Sequence, residues 1–301
     1  MSKRYLMLRA TTGLNNVVDP ARLSYNEDNG VCELAEAVNV DIDRTGRVGR
    51  RKGYSEIGNF TNVHSLYASS AYMYFISEGI LYAMNQSEGT TALGSISDER
   101  TAFETVGSRT YFSNNMDSGI IDGLSRSPWT AASYVGPATD RTFSDPPKGN
   151  HLRLFNSRML IGSGDLIWAS ERFSYHWFDM ARSYMPVGSE IRMIDKVSSG
   201  FYVGVDGRIL YYHGNDFDSV AMTVISDETI ITGTNQMIQG SNFPDYRIHE
   251  QMIIAATNRG IILLGPGGFY KNLTDDKLTY DASKLGGSVL TDKKYIFSCE
   301  P

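Results

Sequence analysis

The chain has 301 residues, of which 41% are hydrophobic, 21% charged and 11% aromatic, and its formal net charge is −6. That composition belongs to a globular protein long enough to bury one sizeable core, and it excludes a disordered chain. The acidic balance argues against general nucleic-acid binding, which rests on neutralising phosphates, though it leaves room for passive contact with DNA. The cysteines, Cys32 and Cys299 near opposite ends, supply neither a disulfide framework nor a cysteine metal cluster and are expected to be buried free thiols.

Taken in order, the opening MSKRYLMLRA lacks the apolar run and cleavage site of a signal peptide, and no stretch reads as a membrane span, so synthesis in a cytoplasm is expected. Residues 1–30 are polar and loop-like, with turn signals at Gly13 to Asn16 and at Asp19-Pro20, and Glu33 to Ala37 reads as a short helical turn. Between Val38 and Tyr54, Val38, Val40 and Ile42 alternate with polar residues, Arg44-Thr45-Gly46 turns the chain, and Arg47 to Arg51 returns. That pattern predicts a hairpin with one apolar face. Asp41, Asp43, Thr45 and Gly46 imitate the start of a calcium loop, but the position that needs a bidentate glutamate holds Lys52, so no metal is expected. Arg44, Arg47, Arg50, Arg51 and Lys52 form a run without an acid among them. It is either a solvated hairpin face or a basic patch for phosphate or an acidic neighbour.

From residue 58 onward one theme recurs. Tyr72 to Ala83 gives two β-type runs around Glu78-Gly79, Thr110 to Ile121 two around a Gly/Asn/Asp turn, and Arg158 to Trp168 another pair. Phe201 to Val205 and Arg208 to Tyr212 flank Asp206-Gly207, a dipeptide suited to a two-residue hairpin turn, and Met252 to Leu264 turns at Asn258 to Gly260. Tyr74, Tyr111, Leu160, Tyr202 and Ile253, central in each first run, are spaced by 37, 49, 42 and 51 residues. Propeller blades repeat at ~40–50 residues, so the fold expected is all-β and propeller-like, with about five to six divergent blades. A β-sandwich or barrel is the competing arrangement.

The centre of the chain is Leu166 to Gly214, read as strand, aromatic loop, strand and tight hairpin, the composition of one blade and the loop leading into it. Its aromatic loop, residues 172–187, carries Tyr175, Trp177, Phe178 and Tyr184. Such a cluster either packs one blade on the next or, if exposed, offers a partner surface or a sugar-stacking platform. Gly204 predicts a close backbone approach or a bulge. The Pro- and Gly-rich stretch from Pro128 to Gly149 reads as an excursion between blades, and residues 271–301 as a polar tail able to pair with an N-terminal strand. Three parts result: an extended arm and hairpin over 1–57, a propeller-like domain over 58–270, and a C-terminal extension over 271–301.

No catalytic constellation emerges. His64, His151, His176, His213 and His249 are well separated with no His-x-x-x-His pair, and no Gly-x-Ser-x-Gly elbow, phosphate loop or repeated Ser-x-Asp-x-Gly-x-x-Trp box occurs. No enzyme, cofactor or catalytic residue is therefore expected, and a glycan-degrading carboxylate pair is not singled out among the acids.

The motifs Gly13-Leu14-Asn15, Leu34 to Asp41, Gly46 and Arg50 to Tyr54 resemble the opening of tail hub, nozzle and head-completion proteins of short-tailed bacteriophages. Trp168 to Phe173 with Phe178-Asp179, then Glu190-Ile191 and Phe201 to Gly204, are similar to the middle of those proteins. The resemblance covers about two-thirds of the chain. It implies a propeller-based structural protein of the virion tail and a homohexameric ring below the portal or adaptor that continues the DNA channel and holds other tail proteins. Many relatives are considerably longer. A tail-associated module that binds glycan or receptor through Tyr175 to Tyr184 is the alternative.

Overall fold

The computed structural model describes residues 9–299 apart from residues 27, 44, 54, 134–139, 275 and 292–293. It consists of strands with a few single-turn 3-10 helices. An N-terminal arm comes first: β1 (Ala10–Leu14), β2 (Tyr25–Asn26) and β3 (Val31–Leu34) form a small sheet in the order β1-β3-β2, and β4 (Val40–Ile42) pairs with β5 (Val48–Arg50). The body follows as five sheets, each laid down in sequence order. Sheet one is β6 (His64–Ala68), β7 (Met73–Ser77), β8 (Ile80–Met84) and β9 (Thr90–Ser95). Sheet two is β10 (Ala102–Val106), β11 (Arg109–Ser113), β12 (Ser118–Asp122) and β13 (Ser125–Ser127). Sheet three is β14 (His151–Phe155), β15 (Arg158–Ser163), β16 (Leu166–Glu171) and β17 (Ser174–Phe178), with β18 (Tyr184–Pro186) on the other end of β16. Sheet four is β19 (Ile191–Val197), β20 (Gly200–Val205), β21 (Arg208–His213) and β22 (Ala221–Ser226). Sheet five is β23 (Gln236–Gln239), β24 (Gln251–Thr257), β25 (Gly260–Gly265) and β26 (Phe269–Asn272), after which β27 (Gly286–Leu290) and β28 (Tyr295–Cys299) close the chain as a hairpin.

The fold is all-β and propeller-like, and each antiparallel sheet is one blade. The five recurring hairpins of the sequence are the second and third strands of the five blades. In blades two to four these middle strands are apolar because neighbouring blades cover both their faces; the last hairpin covers the outer face of blade five, and Phe60 lies on Phe75 and Tyr82 of blade one. In β20 all six residues are buried, while outer β9 and β22 are mostly exposed. Gly204 is needed for close approach: a Cβ there would stand 2.8 Å from Ile230 Cδ1. Asp206-Gly207 makes the expected tight turn, with Val205 paired to Arg208 and Gly207 at φ +71.

Five apolar clusters lie between consecutive elements. Phe103, Phe112 and Ile121 pack on Tyr74, Ile76 and Leu81 between blades one and two, and Trp129, Met159 and Phe178 pack on Tyr111 and Ile120 between two and three. Phe155 and Leu160 meet Phe201 and Leu210, Tyr202 and Ile209 meet Ile253 and Ile262, and Leu290 and Tyr295 of the last hairpin pack on Ile238 and Leu263. Among the described residues no such cluster joins the last hairpin to blade one. Cross-strand neighbours Val289 and Ile296 are exposed on the hairpin's other face.

A polar chain runs along the innermost strands. The Tyr67 hydroxyl of blade one donates to Thr105 Oγ1 of blade two at 3.1 Å. Arg153 of blade three reaches Glu104 of blade two (Nη1 to Oε2, 3.0 Å) and Asp195 of blade four (Nε to Oδ1, 2.6 Å). Asn235, which enters blade five, donates to the other Asp195 oxygen at 2.5 Å. Burial opposes the charge on Arg153, but Asp195 and Glu104 outweigh it and hold its pKa above the ordinary value.

Several sequence expectations are corrected. Leu166 to Gly214 straddles two blades, the outer strands of three and the inner strands of four, because the tight hairpin belongs to the second. Residues 172–187 are not one loop: an irregularity between Ser170 and Glu171 splits the edge of β16 between β17 and β18. Residues 1–30 contain strands, and Glu33 to Ala37 forms no helix, since Val31 to Leu34 pairs with β1 in parallel and with β2. The C-terminal strands pair with each other, not with an N-terminal strand. Cys32 and Cys299 are free thiols but half-buried rather than buried.

Replacing Arg153 with Met should cost about 3–5 kcal/mol in chemical denaturation, because it leaves Asp195 buried and uncompensated; a loss within the range of a surface substitution would refute the role given to the chain. His151, which opens β14, has Nε2 2.9 Å from the Ile191 carbonyl. Burial, reinforced by the charges of Arg100 and Arg153 against that hydrogen bond, pushes its pKa down to about 3. The unfolded imidazole takes a proton near its ordinary pKa of about 6.5, so this contribution is intact above that pH and falls by about 1.4 kcal/mol per pH unit as acidity increases toward pH 3. His151→Gln should flatten the decline in unfolding free energy between pH 7 and 5, and parallel curves would contradict the assignment.

Candidate assembly surface

The N-terminal arm differs physically from the body. Among its described residues, 9–57, the only buried side chains are Thr11 and Asn15, both polar. The Thr11 hydroxyl donates to the Cys32 carbonyl at 2.7 Å, and Asn15 Oδ1 accepts from the backbone N–H groups of Val17 and Val18. Several of its apolar side chains face outward: Val38 is 71% exposed, Ile57 52% and Val17 51%, with Val18 and Ile42 also exposed, while Leu14, Val31, Leu34, Val40 and Val48 are half-buried. Of the hairpin face expected from Val38, Val40 and Ile42, the strand holds Val40, half-buried, and Ile42, exposed, while Val38 precedes it across Asn39 at φ +59 and is exposed as well.

Polar links tie the arm to the region around the last hairpin. Asn16 exchanges backbone and side-chain hydrogen bonds with Lys277 and Thr279 at 2.9–3.0 Å, Glu33 pairs with Lys277 at 3.1 Å, and Asp41 pairs with Lys294 at 2.8 Å. The hydrogen bond from Lys294 and the nearby positive charges hold the Asp41 carboxyl below its ordinary pKa. Where the arm joins the body, Phe60 seats edge-on against Phe75 and Tyr82.

The basic run is displayed by this hairpin. Arg47, Arg50 and Lys52 are exposed, and Arg51 is exposed with Nε 3.7 Å from Asp41. Arg44 lies outside the described residues. The other predicted group is not brought to the same place. Tyr175 packs edge-on against Tyr111, Phe178 is buried against Trp129, and Trp177 is half-buried with its indole N–H on the Ala132 carbonyl. Tyr184 remains exposed, as does Phe173 at 78%. This cluster joins blades two and three, and it is not one open aromatic platform.

Sequence reasoning missed the charged residues of the inner strands and the anchoring of the 128–149 excursion. Trp129 of that excursion is buried and donates to the Tyr175 carbonyl, and Arg141 pairs with Asp179 at 2.8 Å and with Glu171. The signal available in sequence was a charge inside an apolar run, as in Leu152-Arg153-Leu154. Among the described residues no group of three or more His, Cys, Asp or Glu could hold a metal, and no helix is long and apolar enough to cross a membrane.

No protein-family model matches the chain, and no curated protein sequence matches it. Similar solved structures include PorZ of the type-IX secretion system of Porphyromonas gingivalis (11% identity over 71% of this chain, TM-score 0.40). They also include the WD40 domain of Neurospora crassa Pan2 (10% over 68%, 0.44) and the WD40 β-propeller domain of Doa1 (9% over 71%, 0.46). The matched region spans 33% of the PorZ chain, 61% of the Pan2 chain and 69% of the Doa1 chain. At these identities the likeness concerns the fold alone.

Gly46 fixes the arm's internal packing. It has φ +79, and a Cβ on it would stand 2.4 Å from the Thr11 carbonyl oxygen, while its own carbonyl accepts from Thr11 N–H at 2.7 Å. Gly46→Ala should therefore separate the hairpin from β1. Hydrogen exchange should rise over residues 10–50 with the blade amides unchanged; faster exchange in the blades would mean that the arm supports the body.

Proposed function

We propose that the protein is a structural component of a bacteriophage tail, a hub, nozzle or adaptor, whose copies assemble into a ring below the portal. The propeller body is the rigid platform, and the arm is the adhesive element that docks neighbouring copies or the portal. The observation that carries this reading is the arm itself, which exposes Val17, Val18, Val38, Ile42 and Ile57 while the only side chains it buries among its described residues are polar. Exposed apolar surface of this kind favours association. The adjoining basic hairpin suits an acidic neighbour, and the chain's own net charge of −6 makes another copy such a neighbour. The sequence resemblance supports the same reading and supplies its ring, its homohexameric state, the DNA channel and the virion location. The task is mechanical, without a catalytic step or cofactor.

A second reading, a tail-associated module for glycan or receptor, rests on exposed Phe173 and Tyr184. Burial of Phe178 and the packing of Tyr175 leave it less surface.

Light scattering over a concentration series, with and without purified portal, tests the assignment. The intact chain should form a discrete ring-sized species alone or on the portal, and Val38→Asp with Ile42→Asp should abolish it while leaving thermal unfolding unchanged. A chain that stays monomeric with portal present, or a double variant that assembles normally, would overturn the proposal. Saturable glycan binding lost in Tyr184→Ala would favour the second reading.

A further inference from the structure

The arginines of the body are almost all neutralised where they are half-buried. Arg141 has Glu171 and Asp179, Arg153 has Glu104 and Asp195, Arg158 has Asp218 and Arg192 has Asp206. Arg126 instead donates to the Ser95 carbonyl and lies over the Phe112 ring, and Arg100 has neither kind of partner among the described residues. Arg100 sits in the connection from blade one to the start of β10. Its Nη1 is sealed from solvent with no hydrogen-bond partner, and no acid pairs with it among the described residues. Burial alone pulls its pKa down to about 10.

The position of Arg100 matters as much as its isolation. Strand directions alternate within each blade, so the inner strands all begin on one face of the body. Arg100 precedes β10 there, His151 opens β14, and Gly233 lies just ahead of β23. Arg100 Nε is 3.8 Å from where a Cβ would stand on Gly233, so the side chain of a blade-two connection reaches the entrance of blade five. Gly233 has φ +92, and the Gly286 carbonyl oxygen stands 2.1 Å from where its Cβ would be, so no side chain fits between. His151 shares the electrostatic environment of Arg100 and is neutral, its Nε2 on the Ile191 carbonyl. Glu104, Arg153 and Asp195 neutralise one another's charge by ion pairing.

We propose that the face on which the inner strands begin carries an oxyanion-binding site with Arg100 as its cationic anchor, taking a carboxylate or a phosphate group. A largely buried guanidinium without a counter-charge is strongly unfavourable, and an oxyanion supplies both the opposite charge and hydrogen-bond acceptors for its N–H groups. Carboxylate and phosphate share that chemistry, and the test separates them.

The experiment uses the full chain. Thermal unfolding is followed while sodium phosphate or sodium succinate replaces chloride at constant ionic strength, and heat of binding is measured by titration calorimetry. One of the two anions should give saturable heat and raise Tm by about 2 °C or more at saturation. Arg100→Met should remove both responses without lowering Tm in chloride, because the isolated charge is removed with them. Arg100→Lys should retain the Tm response at reduced affinity, since it keeps the charge and loses the fork. Phosphate alone acting identifies a phosphate site, and succinate alone a carboxylate site. No saturable heat from either anion in the unsubstituted chain overturns the proposal, and so does an undiminished response in Arg100→Met. If Arg100→Met does not fold, the calorimetry of the unsubstituted chain and of Arg100→Lys decides the matter: equal affinities for the two would place binding elsewhere.

Discussion

The bridge made by Arg153 is the constraint on which the arrangement of the blades depends. Apolar clusters between blades are non-directional, and adjacent sheets could slide on them with little loss. A guanidinium held between Glu104 and Asp195 does not permit that, because it must find both acids in fixed positions. One side chain therefore sets the relative height of the inner strands of blades two, three and four. Asn235 on Asp195 extends the register to blade five, and the hydrogen bond of Tyr67 to Thr105 extends it back to blade one. The charge itself contributes little net stability, since its desolvation offsets its pairing. Its contribution is to registration.

Much of the architecture was legible in sequence, and for a physical reason. The middle strands of an inner blade are covered on both sides, so they must be apolar throughout, and they must be joined by a tight turn. Phe201 to Val205, Asp206-Gly207 and Arg208 to Tyr212 show both features. The inner and outer strands were harder to see. Outer β9 reads Thr-Thr-Ala-Leu-Gly-Ser and is largely solvated, which makes it resemble a loop. Inner β10, β14 and β19 each carry a charge that breaks the apolar run, and only the neighbouring blade explains that charge. Tyr175 to Phe178 was mistaken for loop because β16 divides its edge between two partners, which local pattern does not encode.

The candidate surface was legible in a different way. The alternation marked the hairpin at Val40 and Ile42, although Val38 lies ahead of the strand across Asn39, whose φ of +59 breaks the extended run, and alternation does not say what covers the face. Here the chain itself leaves Val38 and Ile42 uncovered. The significance of Arg100 was beyond the reach of sequence altogether. Asp98-Glu99-Arg100 looks like an ordinary solvated charge cluster, and its isolation arises from a meeting with Gly233, over a hundred residues away.

Body and arm thus divide two physical tasks. The body's apolar side chains pack into clusters that link one blade to the next, and its deeply placed charges are mostly paired, so it can remain rigid without the arm. Among its described residues the arm buries only polar side chains, which shape its own backbone, and it leaves Val17, Val18, Val38, Ile42 and Ile57 on the outside. Its ties to the body are ion pairs and amide hydrogen bonds at the surface, which are individually weak. Such ties orient an arm without holding it against a competing apolar surface. On the proposed reading this division lets a subunit fold before it meets the ring: burial of Val38 and Ile42 against a neighbour adds affinity at assembly, and the blades need not be disturbed to provide it.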